Sequence, residues 1–99
     1  MAEKIVMTNS NEATGAIFGA FDKNARLVEA AFGVHIFNRN SSEDFGDAIV
    51  INGEENSVVL AARTLEYLKK IIGTGESVEE GTVEYVIGLV KDGYMKLDA

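Results

Sequence analysis

Ile17-Phe18-Gly19-Ala20-Phe21-Asp22-Lys23-Asn24, continuing through Ala25–Phe32 into Gly33-Val34-His35-Ile36, decides the fold of this chain. The stretch reads as a helix end, a very tight turn, a second helix, a glycine stop and a strand. Gly19 ends a short apolar segment, and Asp22 is placed to cap the next helix by accepting an N–H bond from Asn24 or Ala25. Only two residues lie between those signals. A turn that short points several backbone N–H groups outward beside a helix N-terminus, where a phosphate can sit.

Upstream, Lys4–Thr8 alternates, with Ile5 and Met7 on one side and Val6 on the other, which predicts a first strand. Asn9-Ser10-Asn11 offers caps before Glu12, and Ala13, Ala16 and Ile17 keep helical spacing in a short helix that Gly15 weakens by about 1 kcal/mol. Downstream, Lys23–Phe32 presents Val28, Ala31 and Phe32 together with Leu27 alongside, and keeps Lys23 and Arg26 on its outer side. Gly33 supplies the left-handed stop. Val34–Phe37 and Ala48–Ile51 are β-branched or aromatic runs, an antiparallel pair joined by the polar loop Asn38–Asp47.

After Asn52-Gly53, Glu54 and Glu55 open a helix in which Val58, Ala61, Ala62, Leu65, Leu68 and Ile72 share one face up to Gly73. Ser77-Val78-Glu79-Glu80 reads as a capping box for a last helix over residues 77–92, with Val83, Val86, Ile87 and Val90 as its apolar stripe. Gly81 and Gly88 weaken that helix, so it depends on docking. The order is strand, helix, turn, helix, strand, strand, helix, helix. Three strands cannot bury themselves alone, so one sheet face must be covered by helices, giving a two-layer α+β domain.

Ninety-nine residues make one domain with a single modest core, and 46% apolar with 25% charged residues is an ordinary globular balance. No run approaches the ~18 apolar residues of a membrane span, and the Met1 region lacks the layout of a secretory signal, so no membrane association and a cytoplasmic location are expected. The chain has no cysteine, which fits that compartment and excludes disulfides and thiolate metal sites. The net charge of −7 argues against a general nucleic-acid binder. Its distribution matters, however: Lys4, Lys23, Arg26 and Arg39 balance Glu3, Glu12, Asp22 and Glu29 in residues 1–42, and the whole excess of acid lies in residues 43–99.

The turn and its flanks resemble a KH domain, whose motif runs Ile-Ile-Gly-x-x-Gly-x-x-Ile-x-x-Ile and then, after a spacer, Gly-x-x-Ile. Ile17, Phe18, Gly19, Val28, Gly33 and Ile36 fall on that pattern, while Asp22 replaces the second loop glycine and Ala25 an isoleucine. The likeness extends through Ile49-Val50-Ile51-Asn52-Gly53 and the following helix, over residues 4–72. Phe18-Gly19-Ala20-Phe21-Asp22-Lys23-Asn24, Gly33-Val34, Arg39, the Gly53 turn and the extra helix after Gly75-Glu76 are similar to the N-terminal domain of PhoH-like ATPases. That resemblance implies a KH-like RNA-related accessory module beside a P-loop ATPase domain, in cis or in trans. No Gly-x-x-x-x-Gly-Lys-[Ser/Thr] occurs in this chain, and Gly73-Thr74-Gly75-Glu76-Ser77 lacks the lysine. The chain reads either as an excised domain or as a short relative.

For function, the groove beside the turn is expected to bind single-stranded RNA through Gly19, Phe21, Lys23, Asn24, Arg26 and Arg39. The loop and its flanks have a plainer reading: Asp22 caps the helix, Phe21 packs inward or against a partner, and Lys23, Asn24, Arg26 and Arg39 are solvated surface. Exposure of Phe21 beside Lys23 and Arg26 discriminates, since a buried Phe21 under an acidic surface favours a protein-interaction module. His35, the only histidine, should face away from the helices with Phe37, in a patch where self-association into a homo-oligomer can occur. Glu43, Asp44 and Asp47 lack calcium-loop spacing and read as a solvated loop. No nucleophile has a positioned base, so no catalysis and no cofactor or metal are expected.

Overall fold

A computed structural model describes residues 1–8, 11–39 and 48–93. It is a small α+β domain: β1 (Ala2–Met7), α1 (Asn11–Phe18), a 3-10 turn (Ala20–Asp22), α2 (Lys23–Phe32), β2 (His35–Arg39), β3 (Ala48–Gly53), α3 (Glu55–Gly73) and α4 (Glu80–Lys91). The sheet order is β1-β3-β2, with β3 central and antiparallel to both neighbours. Val6 lies opposite Ile49 and Ile36 opposite Ile51, and these four side chains form the floor of the core. The two-residue pleat therefore sends Ile5, Val50 and Phe37, which are directly opposed across the three strands, to the other face.

The described helices pack on the Val6–Ile49–Ile51 face. Ala25, Val28 and Phe32 of α2 and Val58, Ala61, Leu65 and Leu68 of α3 are buried against it. Thr64, wholly buried among them, donates its hydroxyl to the Leu60 carbonyl at 3.0 Å, which satisfies its one polar group within the helix. Gly33 ends α2 at φ 66°, its N–H returning to the Glu29 carbonyl. On the face away from these helices Val50 and Ala48 are buried, whereas Ile5 and Met7 keep 47% and 41% of their surface exposed, as the alternation of the first strand predicts.

Four elements differ in extent from expectation. β1 starts earlier, at Ala2, and ends at Met7. β2 covers His35–Arg39 instead of Val34–Phe37, starting one residue and ending two residues further along the chain, and β3 runs on past Ile51 to Gly53. The capping box at Ser77–Glu80 does not form: α4 begins at Glu80, Glu79 holds the cap position with extended backbone, and no side chain caps the helix. The cause is tertiary. Asn24 of α2 donates its side-chain amide to the Val78 carbonyl at 3.3 Å, and the Val78 side chain packs on the core, so this segment is held extended where a capping box requires a turn.

Once started, α4 docks through Val83, Val86, Ile87 and Val90, all buried. Gly88 sits on its exposed side, where an added Cβ meets nothing within 4 Å. Gly88→Ala is therefore expected to stabilise the domain by about 0.5–1 kcal/mol, because alanine removes the glycine penalty without a clash. A raised urea midpoint at unchanged slope is the readout, and a lowered midpoint would show that α4 is not a free-standing surface helix at this point.

Candidate nucleic-acid interface

The turn between α1 and α2 is built from backbone conformations that its residues do not favour. Gly19 enters it at φ 79°, ψ 176°, and Phe21 and Asp22 follow with φ of 55° and 59°. Among the described residues these are the only two non-glycine residues with positive φ, and they are adjacent. Left-handed backbone costs a bulky residue on the order of 1–3 kcal/mol. The Asp22 N–H donates to the Gly19 carbonyl at 3.1 Å, closing the turn. Phe21 stands at the tip with 93% of its surface exposed.

Asp22 does not act as expected. It holds the cap position of α2, but its left-handed backbone is not the extended conformation that capping needs, and its carboxylate makes no capping bond. Asp22 instead lines a groove of about 400 Å³ together with Thr14, Gly15 and Phe18 of α1 and Ile36, Phe37 and Asn38 of β2. On the other side of the turn, Phe21, Lys23, Arg26, Leu27 and Ala30 line an outer groove of about 360 Å³. Among the described residues Asp22 is the only charged one lining the inner groove, whereas the outer one carries two cations.

Of the six residues predicted for the site, Phe21, Lys23 and Arg26 come together in the outer groove, and Gly19 opens the turn that presents them. Lys23 lies 3.7 Å from Glu80 of α4, an exposed pair too weak to withhold the ammonium from a stronger anionic partner. Asn24 and Arg39 lie elsewhere. Asn24 is only 4% exposed, and its amide is engaged by Val78, so its work is structural. Arg39 falls on the sheet face away from the helices, with His35 and Phe37, and reaches Glu3 at 3.9 Å.

His35 faces away from the helices as expected, its ring 5.5 Å from Phe37 and its Nδ1 3.6 Å from the Glu29 carboxylate. That same carboxylate accepts the Ile36 N–H at 2.7 Å, closing part of the β2 edge. Leu27 and Ala30 are additions to the predicted site. Their signal was present in the spacing, since residues 23, 26, 27 and 30 share one helix face. Glu43, Asp44 and Asp47 lie outside the described residues, and among the described helices none is long and apolar enough to cross a membrane. Comparison with protein-family models, curated proteins and solved structures returns no match.

Proposed function

We propose that this is a non-catalytic KH-like module, akin to the N-terminal domain of PhoH-like ATPases with one added C-terminal helix, that binds single-stranded RNA at the α1–α2 turn. The observation that carries the reading is Phe21: an almost fully exposed aromatic ring, held on strained left-handed backbone, beside Lys23 and Arg26. A folding role gives no reason to keep a bulky aromatic at such a position. A recognition role does, because an exposed ring stacks on a base of any identity while neighbouring cations meet the phosphates. The order of elements around the turn, strand–helix–turn–helix–strand–strand–helix, supports the KH-like part of the reading. Such a module would present RNA to a P-loop ATPase domain, in cis or in trans.

Binding should be weak and salt-sensitive, since few cations take part. In titrations of labelled single-stranded RNA, Lys23→Ala and Arg26→Ala are each expected to weaken binding several-fold and to lower the slope of log affinity against log salt by about one. No binding at low salt and high protein concentration would retire the reading. The carboxylate of Asp22 at the turn, with the acid excess of residues 43–99, favours a second reading: a protein-interaction module whose groove takes no nucleic acid.

A further inference from the structure

We propose that Asp22 makes the inner groove selective for guanine, an inference that rests on the RNA-binding reading above. The two grooves divide the chemistry of a nucleotide between them. Lys23 and Arg26 lie on the outer side of the turn, and among the described residues the inner groove has a carboxylate and no cation, so Asp22 repels a phosphate there and does not repel a base. Its volume of about 400 Å³ is ample for one base. Phe18 and Ile36 contribute apolar lining, and Gly15 leaves the α1 side without a Cβ.

The Asp22 carboxylate is free to accept, because it caps nothing in α2. Its left-handed backbone, closed by the bond to Gly19, fixes where the side chain starts. An ionised carboxylate is acceptor-only, with two oxygens that suit a pair of parallel donors. Guanine presents such a pair on its Watson–Crick edge, N1–H beside the N2 amino group. Adenine and cytosine offer one amino group next to a ring acceptor, and uracil one N–H between two carbonyls. Each of those places an acceptor against the carboxylate, so discrimination arises from repulsion as well as attraction.

The test is a binding series with uridine heptamers carrying one central guanine, inosine, adenine or cytosine, at low salt, where inosine is guanine without its amino group. Guanine is expected to bind roughly tenfold tighter than inosine, the effect of one charge-assisted hydrogen bond. In Asp22→Asn that ratio should fall toward one, whatever happens to overall affinity. Asp22 is exposed, so the variant should melt as the original does. Equal binding of guanine and inosine, with affinity still dependent on Lys23 and Arg26, overturns the guanine proposal alone. Binding of none of the heptamers overturns the RNA reading and this proposal with it.

Discussion

Gly19→Ala is expected to destabilise the domain by about 3 kcal/mol, seen as a lowered urea midpoint at unchanged slope. Two independent costs meet at this residue. Its φ of 79° with ψ of 176° is a region that essentially only glycine occupies, which costs about 1–3 kcal/mol for any other residue. An alanine Cβ would also lie 2.7 Å from Nδ2 of Asn24 and 2.8 Å from its Cγ. Asn24 cannot move aside freely, because it is buried and its amide holds the Val78 carbonyl, the tie that fixes the segment before α4. Displacing it breaks a bond between residues 54 positions apart and leaves buried polar groups unpaired, at about 1–3 kcal/mol. The double variant with Asn24→Ala should therefore cost less than the two single changes added together, since the clash is counted once. A loss under about 1 kcal/mol for Gly19→Ala would show that the turn relaxes, and that the path from turn to α4 is not rigid.

That tie also explains which parts of the chain were legible beforehand. α2 and α3 follow from apolar spacing and glycine stops, and both appear at their predicted places, because a helix face is written in residues a few positions apart. The strands were legible in kind but not in extent. Arg39 was misplaced for that reason: with β2 cut at Phe37, its direction was open, although the parity that turns His35 and Phe37 outward turns Arg39 outward as well. The capping box at Ser77 failed because local preference yielded to a partner far away in sequence, Asn24, which no local pattern announces. Asp22 failed similarly. Aspartate is a leading cap residue, yet a turn with only two residues between its signals forces left-handed backbone at Phe21 and Asp22, and a left-handed residue does not cap.

Phe21→Gly is expected to raise stability by about 1 kcal/mol while weakening single-stranded RNA binding by about tenfold or more. The stability gain follows from backbone geometry: at φ 55° glycine carries no Cβ penalty, and a side chain 93% exposed leaves almost no buried surface to lose. Glycine's greater freedom in the unfolded chain offsets part of the relief, which is why the net change is near the low end of the strain range. The binding loss follows from the ring, since a stacked base contributes about 1–3 kcal/mol. Phe21→Ala separates the two effects. It keeps the Cβ and so the strain, and should leave the melting midpoint nearly unchanged, but it removes the ring and should lose the same binding. If Phe21→Gly lowers stability, the ring is packed in solution and its exposure is not the basis of a binding site. If both variants fold and bind RNA as the original does, Phe21 is not the stacking platform, and the strained turn must serve a protein partner instead. A variant that folds better and binds worse would locate, at a single residue, strain that is retained for recognition rather than for folding.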